Sequence, residues 1–149
     1  MNNSDGFPSL LNYDAALAHY NQSIPYKRGR SKGKRPLGSN RRYDRSLIRL
    51  DDNGDIVCSY EGTDVIRFEK GGTVILRHGN WESISTMECL NFILRDRLSM
   101  EVNGRKPPQW AGLFRAKCKM YLSDGYGVNH RFEKELYITA TNEIEGGVT

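Results

Sequence analysis

The chain has few of the features that mark membrane, secreted or metal-binding proteins. No apolar run approaches the ~18 residues needed to cross a bilayer, and the first residues, MNNSDGFPSLL, lack the basic and apolar stretches of a secretory leader. The three cysteines, Cys58, Cys89 and Cys118, are odd in number, far apart and set among apolar neighbours. They predict buried thiols rather than disulfides or metal ligands. We therefore expect a cytoplasmic protein without a membrane partner.

Sequence motifs for catalysis are also absent. The chain contains no Cys-x-x-Cys, no His-Glu-x-x-His and no glycine-rich phosphate loop. Its three histidines, His19, His78 and His130, have no second ligand at metal-binding spacing. We therefore expect no cofactor, no metal site and no catalytic residue, and we predict a protein that binds rather than catalyses. A small hydrolase or nuclease is a third hypothesis from a different functional class.

Positive charge, in contrast, is concentrated in one short segment. Of 22 basic residues, nine lie between Tyr26 and Arg45, where Asp44 is the one acid, so this segment carries +8. The other 13 basic and 17 acidic residues give the remainder of the chain a charge of −4. The nine cations are Lys27, Arg28, Arg30, Lys32, Lys34, Arg35, Arg41, Arg42 and Arg45. Because apolar residues are scarce and glycines frequent, we predict a flexible basic arm over residues 26–45.

This basic arm is the candidate binding site. Arginine-rich flexible segments can neutralise phosphates and become ordered on binding, and Tyr26 and Tyr43 add aromatic rings to the nine cations. The alternative is a loop that is merely solvated or that contacts another protein. The polymer can be RNA, DNA or a nucleoprotein complex.

The residues before the arm predict a short helix over residues 12–22. Asn12 is a candidate N-cap and Asp14 lies in the first turn, where the helix dipole favours an acid. Ser23-Ile24-Pro25 ends the pattern because proline cannot continue a helix.

Residues 46–78 predict a four-stranded antiparallel meander. The runs SLIRL, IVCSY, TDVIRFE and TVILRH have the composition of strands. Asn53-Gly54 between the first two runs predicts a tight hairpin in which both residues adopt positive φ. Lys70-Gly71-Gly72 joins the last two runs.

A second helix is predicted after the meander, with Thr86 as its N-cap and MECLNFILRDRL as its body. Its apolar stripe includes Leu90, Ile93 and Leu94, which are expected to pack on the sheet. We expect Trp81 to share this core because its ring must bury a large area. Asp64 and Glu88, the acids within apolar patterns, are interpreted as a residue bonding a turn and a first-turn acid of the helix.

The C-terminal third alternates between apolar and polar residues and predicts a β-hairpin. A five-residue loop at 123–127, pairing Leu122 with Val128, keeps the apolar faces matched. The same register predicts two cross-strand ion pairs, Lys117 with Glu133 and Arg115 with Glu135.

The predicted fold class is α+β: an antiparallel β-meander with one packed helix, an N-terminal helix plus basic arm, and a C-terminal β-hairpin. Residues 1–25 form the N-terminal helical segment and residues 26–45 the flexible basic arm. Residues 46–142 form a single β-rich domain, and residues 143–149 form a tail.

Several blocks resemble a group of small uncharacterised bacteriophage and prophage proteins. These blocks are AHYNQSIPYKRGR, RPLGSNRRYDRSLIRL, TDVIRF and GGTVILRHGNWESISTMECLNFIL, which lie within residues 18–94. The resemblance implies a phage product that acts in the cytoplasm of a bacterial host, and it implies no enzyme. By analogy with small phage proteins that block host defence, an inhibitor of a CRISPR-Cas-type system is expected.

The preferred hypothesis is therefore a phage-encoded binding protein that acts on a host nucleoprotein complex as a defence inhibitor. The runner-up is a phage protein that binds RNA or DNA, or regulates, without a host protein target. The sequence does not predict the oligomeric state.

Overall fold

The computed structural model describes residues 2–146, which form an α+β fold with two α-helices and ten strands. The helices are α1 (Tyr13–Gln22) and α2 (Ile84–Leu94), and a 3-10 turn follows at Arg97–Ser99. The strands are β1 (Arg35–Pro36), β2 (Ser46–Leu50), β3 (Ile56–Tyr60), β4 (Thr63–Phe68), β5 (Val74–Arg77), β6 (Gly112–Ala116), β7 (Lys119–Ser123), β8 (Asn129–Arg131), β9 (Glu135–Ile138) and β10 (Ile144–Glu145). The predicted fold class is confirmed.

The strands form two antiparallel sheets. Seven strands follow the order β1-β2-β3-β4-β5-β9-β10, and the remaining three follow the order β6-β7-β8. The predicted meander is confirmed as β2 to β5, because each of these strands pairs with the next. One row of side chains across it, running from Ile48 to Leu136, faces the core and is fully buried. The opposite face carries charged residues such as Arg49 and Arg67.

The Asn53-Gly54 turn joins β2 to β3, as predicted, but its geometry differs from the prediction. Gly54 has a φ of 82°, whereas Asn53 has no positive φ. The backbone amide of Gly54 donates to the carbonyl of Asp51, and the backbone amide of Asp51 donates to the carbonyl of Asp55. The connection is therefore one residue longer than a two-residue turn and needs a left-handed backbone only at the glycine.

Helix α1 begins as its sequence predicts. The Asn12 side chain accepts a hydrogen bond from the backbone amide of Ala15, and Ala16 is fully buried. Ser23 caps the other end, since its backbone amide donates to the carbonyls of His19 and Tyr20.

Helix α2 and its cap each begin three residues earlier than predicted. Ser83, rather than Thr86, caps it by accepting a hydrogen bond from the amide of Thr86 at 3.2 Å. The predicted stripe of Leu90, Ile93 and Leu94 is confirmed as fully buried. The prediction for Trp81 is wrong, because its side chain is 68% exposed beyond the turn at Gly79-Asn80.

The predicted strand over residues 114–122 is interrupted. Lys117 and Cys118 adopt positive φ, 52° and 63°, and form a two-residue turn between β6 and β7. Cys118 is therefore exposed, contrary to prediction, whereas Cys58 and Cys89 are buried. Asn-Gly is the usual pair for such a turn, so Lys-Cys carries no sequence signal for it.

The following loop joins β7 to β8 in a register two residues from the predicted one. Ser123 pairs with Asn129, and Leu122 pairs with His130 instead of Val128. A shift of two residues keeps the buried face, because side chains alternate with a period of two. The predicted ion pairs are wrong, since β9 leaves this hairpin and joins the larger sheet, where Glu135 pairs with Arg77.

The residues before β2 contribute to the core of the sheets. Phe7, Leu10, Ala16 and Leu37 belong to the same buried apolar cluster as the residues of β2 to β9. Within the predicted tail, β10 pairs with β9, and residues 147–149 lie outside the described residues. Among residues 2–146, no helix is both long and apolar enough to cross a membrane.

Candidate nucleic-acid interface

The basic segment, residues 26–45, is folded against the sheet and α1. Its first loop is closed by two backbone hydrogen bonds, from the amide of Tyr26 to the carbonyl of Lys34 at 2.9 Å and from the amide of Gly33 to the carbonyl of Tyr26 at 2.8 Å. Strand β1 follows and pairs with β2. Leu37 is fully buried, so the segment contributes an apolar side chain to the core although most of its residues are polar.

Asp44 lies in the second loop of the segment, residues 37–45, and holds it against the first loop, residues 26–34. Its carboxylate accepts from the Arg30 guanidinium at 2.8 and 3.0 Å and from the Ser31 hydroxyl at 2.8 Å. These contacts, with the Arg30 bond as the largest cause, hold the pKa of Asp44 well below its usual range. Asp44, the one acid of the segment, therefore stabilises the folded form of the segment.

Two arginines of the segment bind the end of α1 and the residues after it. Arg35 donates to the carbonyl of Tyr20 at 3.0 Å and to that of Ser23 at 2.6 Å. Arg41 donates to the carbonyl of Ile24 at 2.7 Å. Carbonyls at a helix C-terminus lack intrahelical partners and carry partial negative charge, which explains their attraction for guanidinium groups.

Each of three arginines also lies over a tyrosine ring. Arg35 is 4.5 Å from the centre of the Tyr20 ring, and Arg41 is 4.8 Å from that of Tyr26. Burial is the main reason that the pKa of Tyr26 is raised. Each stacked pair holds one tyrosine ring, that of Tyr20 in α1 and that of Tyr26 in the first loop.

Arg45 completes this set of structural arginines. It lies 4.7 Å from the centre of the Tyr43 ring and binds Asp5 with two hydrogen bonds, at 2.7 and 3.1 Å. The N-terminal residues are thereby fastened to the second loop. Tyr43 keeps 36% of its surface exposed.

Five of the nine predicted cations are exposed and have no side-chain hydrogen bond or ion pair with any described residue. They are Lys27, Arg28, Lys32, Lys34 and Arg42. Asp44 and Asp5 each pair with one of the nine cations, so the segment and its ion-pair partners retain a charge of +7. Cations fixed on folded loops and free of internal partners can bind phosphate oxygens.

A groove of about 380 Å³ adjoins the segment, where Lys34 and Arg35 approach the exposed side of β2 to β4. Arg49, another cation lining this groove, binds Asp64 with two hydrogen bonds of 2.7 Å, and this bond is the main reason that the pKa of Asp64 is lowered. Sequence reasoning assigned Asp64 to a turn and did not identify Arg49 as a site residue. The strand register was the missing signal, because it places Arg49 on β2 and Asp64 on β4 on the same sheet face, on either side of β3.

The histidines do not come together in a catalytic arrangement. His19 Nε2 lies 2.7 Å from the carbonyl oxygen of Leu37, and His78 Nε2 lies 2.9 Å from that of Phe132. His130 Nε2 lies 3.1 Å from a carboxylate oxygen of Asp124. In the part of the chain that the structure describes, no three His, Cys, Asp or Glu residues are placed to hold a metal ion.

Comparison with known proteins finds no relative: no family model, no curated protein and no solved structure matches the chain. The resemblance of residues 18–94 to phage proteins therefore stays a prediction. The basic segment and its geometry are the basis on which a function is inferred.

Proposed function

We propose that this chain is a non-enzymatic binding protein whose basic segment contacts the phosphate backbone of nucleic acid within a host nucleoprotein complex. The observation that carries this proposal is the set of five exposed cations without internal partners, on loops that Asp44 fastens together. A bound phosphate would replace water around each of them and release counterions.

The folded form of the segment favours binding over mere solvation. Four arginines of the segment donate hydrogen bonds to carbonyl or carboxylate groups within the chain: Arg30, Arg35, Arg41 and Arg45. A segment that is already ordered loses less conformational entropy when it binds, so more of the interaction energy appears as affinity. A loop that served only as a solvated connection would need no such set of contacts.

The biological consequence that we propose is inhibition of a host defence system of the CRISPR-Cas type. Such effectors carry a nucleic acid in a protein shell, which offers phosphates to the cations and a protein surface to the rest of the chain. This part of the proposal is supported by the resemblance to phage proteins. The runner-up is a phage protein that binds RNA or DNA, or regulates, without a host protein target, and the third candidate is a small hydrolase or nuclease.

Neutralising the five free cations tests the proposal. The test variant carries Lys27→Gln, Arg28→Gln, Lys32→Gln, Lys34→Gln and Arg42→Gln. The control loses the same charge at five exposed positions outside the segment, through Lys70→Gln, Arg105→Gln, Lys117→Gln, Lys119→Gln and Lys134→Gln. Because all ten side chains are exposed, both variants should keep the wild-type circular dichroism spectrum.

Binding is measured as a salt titration against a generic RNA, a generic DNA and the purified host effector. The test variant should bind more weakly, and its slope of log K against log salt should fall by about 0.9 per lost contact for duplex DNA or about 0.7 for single strands. The control should keep the wild-type slope. If wild type and test variant bind all three equally, the segment is a solvated loop and the proposal is wrong.

The three binding partners separate the remaining hypotheses. A response of the host effector alone supports the defence inhibitor, and equal responses of bare RNA or DNA support the runner-up. Metal-dependent cleavage of either polymer by the wild-type protein would support the nuclease and contradict a non-enzymatic role.

A further inference from the structure

Trp110 is a large aromatic side chain that is held in place although it is 62% exposed. Its ring lies directly on Gly112, where a Cβ would come within 2.4 Å of the Trp110 Cζ2 atom. The Ser123 hydroxyl donates to the Trp110 carbonyl at 3.2 Å. The lack of a side chain at Gly112 thus lets the Cζ2–Cη2 edge of the indole pack against the start of β6, and most of the residue's surface stays accessible.

A groove of about 510 Å³ lies beside Trp110, between α2 and the loop of residues 99–111. Its apolar lining includes Phe92, Leu98 and Pro107. Two exposed cations, Arg95 and Lys106, also line it, and none of its lining residues is acidic. Neither cation has a side-chain ion pair with a described residue.

We propose that this groove binds an unpaired nucleobase stacked on Trp110, with Arg95 and Lys106 at the phosphates on either side of it. Aromatic stacking platforms flanked by cations are the general means by which proteins hold single-stranded nucleic acid, since every base offers a flat π-face. The inference rests on the proposed function for the nature of the polymer. It adds that the bound polymer is single-stranded at this groove.

Charge and size favour a nucleotide over an apolar side chain of a protein partner. An apolar side chain would need only the Trp110 ring and Pro107 as contacts. A nucleotide within a strand has a phosphate on either side, so it can also contact the two cations of the groove. The groove volume lies within the range of sites that enclose small ligands. A duplex base cannot enter without being extruded from its stack, which costs pairing and stacking energy.

Tryptophan fluorescence tests the inference directly, because the chain has two tryptophans and both are exposed. Trp81→Phe leaves Trp110 as the reporter, and Trp110→Phe leaves Trp81 as the matched control. Each protein is titrated with a single-stranded 12-nucleotide DNA or RNA of mixed sequence and with the corresponding duplex. Single strands should quench Trp110 saturably and leave Trp81 unchanged, and the duplex should quench neither.

Affinity measurements give a second readout. Trp110→Ala should weaken binding of the single strand by roughly 5- to 150-fold, the range seen when a stacked aromatic is removed. Trp110→Phe should retain most of the affinity because it keeps an aromatic ring. Wild type, Trp110→Ala and Trp110→Phe should bind the duplex with the same affinity.

The outcomes separate this inference from the proposed function. If single strands bind through the basic segment but do not quench Trp110, the groove inference is wrong and the proposed function stands. Equal quenching by the duplex also overturns the inference. If a host effector stripped of nucleic acid quenches Trp110 and the oligonucleotides do not, the groove binds protein instead. If no nucleic acid or nucleoprotein binds, both proposals fail.

Discussion

At the level of single residues, arginine serves two different purposes in this protein. Arg97 is 4% exposed and donates to the carbonyls of Leu11 and Thr139 and to the side chain of Asn142. Burial lowers its pKa, and it lies in no ion pair with a described residue. It therefore holds three segments together by hydrogen bonding. Arg28, in contrast, is exposed and has no internal partner, so equal charges in the sequence have unequal roles.

The three cysteines also differ in environment, and this difference predicts which of them reacts with a thiol reagent. Burial raises the pKa of Cys58 to about 12 and that of Cys89 well above its ordinary value, whereas Cys118 is exposed at a turn. Since the thiolate is the reactive form, we expect a thiol reagent at pH 8 to label one cysteine quickly in the native protein and all three in denaturant. Mass spectrometry should place the fast label on Cys118, and Cys118→Ser should abolish it. Fast labelling of Cys58 in the native state would contradict the assigned burial.

At the level of elements, local patterns predicted the strands and helices well, and the failures have specific causes. The Asn53-Gly54 signal identified the β2–β3 connection because a positive φ is needed there and glycine supplies it. The turn at Lys117-Cys118 has the same requirement without the residues that usually meet it, so it could not be predicted. The register of the next loop differs by two residues because alternation specifies a face and not a partner.

The candidate interface was only partly predictable for a similar reason. Composition identified all nine cations, but it could not show that Asp44 binds Arg30 or that Leu37 is buried against the sheet. Both contacts join residues through the folded chain. Trp81 was misplaced because the turn before it directs the ring to solvent, and the sequence does not specify that direction.

The packing of α2 gives a prediction at this level. Leu94 is fully buried, so Leu94→Ala should lower the free energy of unfolding by about 2 to 5 kcal/mol through lost burial and a residual cavity. Ile84→Ala on the same helix is the control, because Ile84 is 55% exposed and should change stability far less. Urea unfolding followed by circular dichroism measures both. Equal effects of the two substitutions would show that α2 does not pack as described.

At the level of the whole molecule, the N-terminal residues, the basic segment and the sheets share one buried apolar cluster. A net positive segment is thus built onto a domain whose other residues carry a net negative charge. The exposed sheet face offsets its own arginines with carboxylates, as in the contacts of Arg67 with Asp51 and Asp55. Excess positive charge is left on the basic segment, which suits a protein that approaches a polyanion with one orientation.

The same ion pairs and buried thiols predict how stability depends on pH. Hydrogen bonds from arginine are the main reason that the pKa values of Asp44, Asp51 and Asp64 lie below their usual range. A carboxylate with a depressed folded-state pKa contributes stability above its unfolded value of about 3.9, and that contribution is lost as the pH falls through the folded value. We therefore expect the free energy of unfolding to fall as the pH is lowered below about 5.

At alkaline pH the free energy of unfolding falls as the pH rises, because the buried cysteines Cys58 and Cys89 stay neutral in the folded protein. In the unfolded chain a cysteine ionises near pH ~8.5, whereas Cys58 in the fold stays neutral up to about 12. The unfolded state therefore loses its proton first, and between these two values one such thiol lowers stability by up to about 1.4 kcal/mol per pH unit. Urea midpoints measured from pH 3 to pH 11 should show a plateau between about 5 and 8 with a decline on each side. Cys58→Ala should lower the plateau through its cavity and make the alkaline decline shallower, while the acid decline keeps its slope. An alkaline limb that Cys58→Ala leaves unchanged would mean that this thiol is not buried in the folded protein.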